Sequence, residues 1–176
     1  MQLSITALGS NQINFIVEIL PAIRDCNCNI LEIRSSRLGK SAAAYLLVHG
    51  NWNQIAKLET TLENIQKRLE IKLHLLRPEQ KDKEKDRDCL PYSLETISLD
   101  RDNVVESITS FLFDREIAIE EISGSSYQAA YIQSAVFSTK FIILIPSQLP
   151  LLNLREEFLD FCDQLNIDAI LEPVKR

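Results

Sequence analysis

A change of hydrophobic period within residues 3–38 constrains the fold of this chain more than any other feature. Apolar and polar side chains alternate over residues 3–8, which is the two-residue period of a half-buried strand. After a turn at Gly9-Ser10-Asn11, the apolar residues follow a helical stripe made of Ile13, Ile16, Val17, Leu20 and Ile23. From Asn29 the extended pattern returns. The stretch therefore predicts a strand, a helix and a second strand.

The predicted helix has its own start and stop signals. Asn11 is a good N-cap residue, and Gly9 can adopt backbone angles that other residues avoid. The apolar stripe predicts helix to about Asp25, while Pro21 within it predicts a kink or an early end. The turn is therefore predicted to cap the helix.

Period and turn residues also predict the rest of the first half. The predicted elements are a strand at 29–38, a hairpin turn at 38–40, a strand at 41–49, a helix from Asn51 and a strand at 71–76. Leu31 and Ile33 are predicted to share one face of strand 29–38. Strand 41–49 is apolar on both faces, which predicts a central strand buried on both sides. The helix carries its stripe at Trp52, Ile55, Leu58, Leu62, Ile65 and Leu69.

The second half repeats this order. The predicted elements are a strand at 92–99, a turn at 100–103, a helix from Val104, a strand at 117–122, a loop at 123–133, a strand at 135–145, a helix after Pro150 and a strand at 167–174. Asn153 and Glu156 resemble a capping box that opens the last helix. Each half thus reads strand, helix, strand, strand, helix, strand.

This order predicts an α+β fold of two ferredoxin-like βαββαβ domains, each an antiparallel sheet with helices on one face. Between the halves, residues 77–88 are almost wholly charged, nearly balanced in sign, and offer no core residues. Such a segment is typical of a solvated linker. We therefore predict domain 1 at 1–77, a linker at 78–90 and domain 2 at 91–176.

Composition excludes several classes of protein. No apolar run approaches the roughly 20 residues of a membrane helix, and the N-terminus does not read as a secretory signal, so we expect a cytoplasmic protein. With 45% hydrophobic residues the chain needs no disulfide framework. Cys26-Asn27-Cys28 could in principle hold a metal, but reduced thiols are the simpler interpretation. We expect no metal and no cofactor.

Charge is distributed unevenly between the halves. Residues 1–88 carry 13 basic and 11 acidic side chains, whereas residues 89–176 carry 6 basic and 14 acidic ones. The halves are thus +2 and −8. Because phosphate neutralisation supplies most nucleic-acid affinity, this pattern argues against direct DNA contact and favours a basic protein partner.

Four segments of the first half carry a resemblance to a known family: Leu3-Ser-Ile-Thr-Ala-Leu-Gly9, Cys26-Asn-Cys-Asn-Ile30, Ser36-Arg37-Leu38-Gly39 and Gly50-Asn51-Trp52-Asn53. They resemble the glycine cleavage system transcriptional repressors, which are built of tandem ACT domains. The resemblance covers nearly the whole chain and is sharpest over residues 3–62. It implies a cytoplasmic regulator that acts through a LysR-type activator rather than by touching the operator. It also implies ACT–ACT pairing at sheet faces or edges, within a chain or as a homo-oligomer.

The resemblance also implies a candidate amino-acid site. Its candidate residues are Gly9, Ser10, Asn11 and Asn14 in the first turn, with Asn29 and Ile30 at the start of the next strand. ACT domains of this type usually continue with a small residue and then Asp-Arg-Pro-Gly, whereas this chain reads Ser10-Asn11-Gln12-Ile13-Asn14. A side chain at Asn14 then fills space that glycine leaves open. Either the helix start binds a carboxylate through its N–H groups, or the turn only caps the helix. We expect weak binding of glycine or none.

Other candidate sites lie in the second half. Asp100, Asp102 and Asn103 occupy the equivalent turn, where they could hold an amino group or simply cap the helix. The adjacent pairs Glu120-Glu121 and Glu156-Glu157 fit solvated faces better than a catalytic pair. No Ser–His–acid pattern, P-loop or dinucleotide loop is present, so we expect no enzyme activity. The acidic residues Glu120, Glu121, Glu156, Glu157 and Asp160 are the candidate partner surface.

Three functions follow as hypotheses. The first is a non-catalytic repressor that binds a LysR-type activator and responds to glycine or another amino acid. The second is an amino-acid sensor that changes its assembly, and the third is a regulatory subunit of an enzyme of amino-acid metabolism. A pull-down separates the first from the third, and calorimetry with amino acids tests the second.

Overall fold

The computed structural model describes residues 1–78, 88–99, 103–128 and 135–174. The chain divides into two compact units, Met1–Lys81 and Asp82–Arg176, here called domain 1 and domain 2, and each is described by itself. Most of the predicted linker lies outside the described residues. So do residues 100–102 of the predicted turn and the end of the loop predicted at 123–133.

Domain 1 contains four strands and two helices. They are β1 (Gln2–Ser10), α1 (Ile16–Asp25), β2 (Asn29–Leu38), β3 (Ser41–His49), α2 (Trp52–Leu69) and β4 (Lys72–Leu76). The sheet has the order β2-β3-β1-β4 with antiparallel neighbours. The first strand is therefore central, because it pairs with both β3 and β4.

The alternation in β1 places Leu3, Ile5 and Ala7 under the helices, where each is fully buried. Helix α2 contributes four buried residues at helical spacing, Ile55, Leu58, Leu62 and Ile65. Burying one such aliphatic side chain stabilises the fold by about 1.5 to 3 kcal/mol. Asn51 caps this helix in a full capping box with Gln54, which fixes its start at the predicted place.

Helix α1 differs from its prediction. It begins at Ile16 with Phe15 as N-cap, and no side chain caps it, so the predicted cap by Asn11 is wrong. Val17, assigned to the apolar stripe, is 61% exposed, whereas Ile19 is fully buried. The helix continues through Pro21 to Asp25, so the predicted early end is also wrong.

The edge strand β2 is exposed at all ten positions. A bulge between Ile30 and Glu32 leaves Leu31 without a partner on β3, so the alternation that placed Leu31 and Ile33 on one face is interrupted. Strand β3 is central as predicted, but only one of its faces is buried, because Tyr45 on the other face is 44% exposed.

Domain 2 repeats the topology of domain 1. Its elements are β5 (Cys89–Leu99), α3 (Val104–Phe113), β6 (Ala118–Gln128), β7 (Ala135–Pro146), α4 (Leu151–Gln164) and β8 (Asp168–Pro173). The sheet has the order β6-β7-β5-β8, and all neighbours are antiparallel. The predicted fold class, two ferredoxin-like α+β domains, is confirmed.

Two predictions in domain 2 are wrong. Strand β6 continues to Gln128 through the Ser- and Gly-rich segment predicted as a loop. Helix α4 begins at Leu151 after Pro150, so Asn153 lies inside the helix and makes no capping box. The strand was missed because an exposed edge strand needs no apolar alternation. The helix start was misplaced because Pro150 already sets the backbone angle at which a helix can begin.

Within the described part of the chain, each helix is followed within three residues by a residue in the left-handed region: Asn27, Glu70, Glu116 and Asn166. Three of these ends show the backbone bonds of a Schellman motif, as when Cys28 N–H donates to the Ile23 carbonyl at 3.0 Å. Among the described residues, no helix combines the length and the apolarity that crossing a bilayer requires.

Candidate functional site

The turn between β1 and α1 holds four of the six predicted ligand residues. Gly9 and Ser10 belong to the end of β1, and Asn11 follows directly. The Asn11 side chain donates to the Gly39 carbonyl at 2.7 Å, and its backbone N–H donates to the Lys40 carbonyl at 3.0 Å. Asn11 therefore ties this turn to the tip of the β2–β3 hairpin.

The backbone N–H groups at the start of α1 are mostly engaged within the chain. Phe15 N–H donates to the Ile13 carbonyl, Val17 N–H to Asn14 and Glu18 N–H to Phe15, at 3.0 to 3.2 Å. A carboxylate bound at a helix N-terminus needs such donors to be available. The geometry therefore offers little to an amino-acid carboxylate.

Gly9 serves packing rather than ligand approach. A Cβ at this position would lie 2.8 Å from Ile71 Cγ2 and 3.4 Å from Phe15 Cδ1. Both neighbours are buried, and Phe15 is only 2% exposed. Asn14 is exposed, and the space beside Gly9 is filled by Phe15 and Ile71. The sequence signal for a buried Phe15 is its spacing of four residues from Ile19, which places both on one helix face.

The other two predicted ligand residues lie elsewhere in domain 1. Gly9 pairs with Ala42 on β3, whereas Asn29 pairs with His49, seven residues further along that strand. At about 3.4 Å per residue the two positions stand roughly 24 Å apart. Within domain 1, the structure thus does not bring Asn29 and Ile30 together with the first turn. They line an open groove of about 410 Å³ with Arg24, Asn27 and Cys28.

The first strand of domain 2, β5, is more polar near its end than β1 is in domain 1. Thr96 and Thr139 are both 1% exposed and share a hydrogen bond of 2.6 Å between their hydroxyls. Ser98 is buried nearby, and its hydroxyl has no hydrogen-bond partner among the described residues. Asn103 precedes α3 with a φ of +72° and makes no side-chain cap, which does not support its predicted capping role. Asp100 and Asp102 lie outside the described residues.

The predicted partner surface divides into two groups. Glu120 and Glu121 are exposed on β6 beside its bulge, and each interacts with another residue. Glu156, Glu157 and Asp160 are exposed on α4. Glu157 is not simply solvated, because it accepts hydrogen bonds from Arg115 at 3.0 and 3.2 Å.

The cysteines are buried or half-buried thiols. Burial raises the pKa of Cys28, with a smaller contribution from Cys26, and burial beside Asp163 raises the pKa of Cys162 to about 12. The Cys28 and Cys162 thiols therefore stay protonated near neutral pH and are poor nucleophiles. Among the described residues, no three His, Cys, Asp or Glu side chains are grouped to hold a metal ion.

Comparison with known proteins agrees with this architecture. Residues 1–75 match the model of the ACT domain family. The chain is 24% identical over 174 residues to glycine cleavage system transcriptional repressors of Escherichia coli K12 and Shigella flexneri, covering 98% of this chain and 90% of theirs. The resemblance that the sequence indicated is therefore confirmed.

Two solved structures share the fold along nearly the whole chain. A crystal structure assigned the same repressor name has a TM-score of 0.74 at 23% identity, covering 99% of this chain and 98% of the other. An unknown protein from Galdieria sulphuraria has a TM-score of 0.76 at 18% identity, with the same coverage. Both structures therefore share the fold of this chain.

Proposed function

We propose that this chain is a non-catalytic repressor of the glycine cleavage genes, and that it acts by binding a LysR-type transcriptional activator. The observation that carries the proposal is the match to two named repressors over 174 residues, through both domains. The ACT match in domain 1 supports a regulatory role rather than a catalytic one. The proposal places the chain in the cytoplasm.

The charge distribution supports a protein partner over DNA. Domain 2 carries most of the acidic excess, and its candidate surface residues are Glu120, Glu121, Glu156, Glu157 and Asp160. A surface of this sign repels phosphate and attracts a basic protein. Complementary potentials mainly raise the association rate and make it depend on salt.

The experiment measures association of the purified chain with the LysR-type activator of the same genome. We expect the association rate to fall as salt shortens the Debye length from about 10 Å at 0.1 M to about 3 Å at 1 M. Glu156→Lys with Asp160→Lys should slow association further without unfolding domain 2, because both residues are exposed on α4. Glu157 is left unchanged because its replacement by Lys would oppose Arg115.

The same protein without its partner is the control. It should leave duplex DNA of the glycine cleavage promoter unshifted in a gel at physiological salt. Sequence-specific DNA binding by the chain alone contradicts the proposal. So does an association rate that changes neither with salt nor with the Glu156→Lys and Asp160→Lys substitutions.

We place any response to glycine at the β1–α1 turn and expect it to be weak, because Phe15 fills that space and the helix-start N–H groups are engaged. Calorimetry with glycine and other amino acids tests this. Tight binding that Asn11→Ala abolishes would show that the turn is an intact site and would favour the sensor hypothesis.

A further inference from the structure

A groove runs between the two helices of domain 2. It has a volume of about 590 Å³, and its lining includes Glu106, Ser107, Ser110, Asp114, Arg115 and Phe161. Ser107 and Ser110 on α3 and its C-cap residue Asp114 follow helical spacing and lie on one side of the helix. Because serine side chains are short, this side of α3 leaves room beside α4. We call this feature the α3–α4 groove.

An aromatic cluster forms the floor of the groove. The Phe111 ring lies 4.8 Å from that of Phe161 and 5.3 Å from that of Phe158. Phe111 and Phe158 are buried, whereas Phe161 on α4 is half-buried and lines the groove. The floor therefore offers an aromatic surface to an apolar or cationic group.

Arg115 closes one end of the groove and is fully engaged there. Its guanidinium lies 3.6 Å from the centre of the Phe111 ring, and it donates to the Phe111 carbonyl at 3.1 Å. It also pairs with Glu157 at 3.0 Å, so its positive charge is balanced. Glu106 and Asp114 are exposed and form no ion pair with another described residue. The groove therefore keeps two uncompensated carboxylates.

Domain 1 closes the corresponding space. Helices α1 and α2 pack directly against each other, which α3 and α4 do not do to the same extent. Arg68 on α2 pairs with Glu18 on α1 at 2.7 Å, so the charges between these helices are satisfied internally. The groove is thus a feature of domain 2 and does not follow from the shared topology.

We infer that the α3–α4 groove is the docking site for a basic, amphipathic segment of the protein partner. This inference rests on the proposed function. The segment places the aliphatic stem of an Arg or Lys on Phe161, with its cation beside Glu106 or Asp114. Long basic side chains present an apolar stem and a charged head, and cations bind well over aromatic faces. The sign of the groove excludes a nucleic-acid backbone or an anionic membrane as its occupant.

Two matched variants test the docking site. Glu106→Gln with Asp114→Asn removes both carboxylates of the groove, whereas Glu172→Gln with Asp163→Asn removes the same charge from exposed positions on β8 and α4 outside it. Thermal unfolding followed by circular dichroism checks that both variants fold. Because both variants lose two negative charges, a change in binding that depends only on net charge must be equal in the two variants.

The first measurement uses a synthetic helical peptide with Leu and Arg on separate faces, titrated into the ¹⁵N-labelled full chain. We expect amide shifts concentrated at residues 103–115 and at Phe161. The groove variant should weaken binding at least tenfold, and the control variant less than twofold. Shifts centred elsewhere, or equal losses in the two variants, overturn the docking site.

The second measurement uses the LysR-type activator itself. Contacts buried at an interface mainly set the dissociation rate, whereas rim charges set the association rate. We expect at least tenfold faster dissociation from the groove variant and an unchanged dissociation rate for the control. If the activator binds but dissociates at the wild-type rate from the groove variant, the docking site fails while the proposed function stands. If the activator does not bind at all, the proposed function fails, and the peptide titration alone decides the groove.

Discussion

The two domains share one topology, yet they differ at the same two places. At the end of the first strand, domain 1 pairs Ala7 with Ala44, whereas domain 2 pairs Thr96 with Thr139. Between the helices, α1 and α2 of domain 1 pack directly against each other, whereas domain 2 keeps an open groove between α3 and α4. The core that fixes the fold is alike, so the fold tolerates a change from apolar to polar at both places. Only the groove leaves domain 2 available for other contacts, because Thr96 and Thr139 are buried and bond to each other.

The largest expected effect concerns the aromatic cluster of domain 2. Phe158→Ala removes a ring that is 2% exposed and contacts both Phe111 and Phe161. We expect a loss of about 3 to 5 kcal/mol in the free energy of unfolding, from lost burial and the cavity left behind. Denaturant unfolding followed by fluorescence or circular dichroism measures it. A loss below about 1 kcal/mol would show that the cluster does not hold α4 in place.

The next prediction concerns the close packing at the end of β1. Gly9→Ala places a methyl group 2.8 Å from Ile71 Cγ2, and the β-branched, buried Ile71 cannot easily move. We expect a destabilisation of about 1 to 3 kcal/mol from overpacking. Gly39→Ala is a less suitable comparison, since Gly39 has a positive φ. The better control is Gly9→Ala with Ile71→Leu, because leucine lacks the Cγ2 methyl that the new side chain meets. The double variant should lose less than the two single changes together, and additive losses would point away from this contact.

The hydroxyl pair of domain 2 gives a third prediction. Thr96→Val leaves the Thr139 hydroxyl buried without its 2.6 Å partner, which should cost about 1 to 2 kcal/mol. The double variant Thr96→Val with Thr139→Val resembles the apolar arrangement of domain 1 and should be nearly neutral. Chemical denaturation of the four proteins in this cycle yields the coupling energy. Additive losses would show that the two hydroxyls do not depend on each other.

The smallest effect concerns the ends of the second helices. Glu70 ends α2 with a φ of +53°, and Asn166 ends α4 with the same φ. Glutamate tolerates this region less well than asparagine, so Glu70→Gly should raise the free energy of unfolding by up to about 1 kcal/mol. Asn166→Gly should change it less. Equal gains from both substitutions would indicate that glycine acts through another cause.

Hydrophobic period predicted the number, type and order of the elements, because each element buries one face in its own domain. The hydrophobic period gave wrong predictions for segments whose side chains are exposed or whose contacts lie far along the chain. Residues 123–128 form the exposed part of β6, so no apolar alternation indicated a strand. Phe15 lies just before α1 and packs into the core, so the stripe drawn from Ile13 and Val17 was rotated. Asn11 bonds to a hairpin far along the chain, a contact that local capping preferences do not contain.

The candidate site was predictable only in part. The family resemblance pointed to the first turn, but the engaged N–H groups at α1 depend on the backbone path from Ser10 to Glu18. The α3–α4 groove was not predicted, because helical period records which face is buried and not how far apart two helices stand. A run of short residues at Ser107 and Ser110, opposite an aromatic on the next helix, was the available signal.

The central position of the first strand has a consequence for the order of events during synthesis. Ser4 on β1 pairs with Leu76 on β4, about seventy residues later in the chain. A ribosome adding about 5 to 20 residues per second needs roughly 4 to 14 seconds to cover that distance. Early in this interval β1 has no partner strand, and after β3 has been made it has a neighbour on one side but still lacks β4 on the other. The sheet of each domain is completed only when its last strand leaves the ribosome, since β8 stands in the same relation to β5.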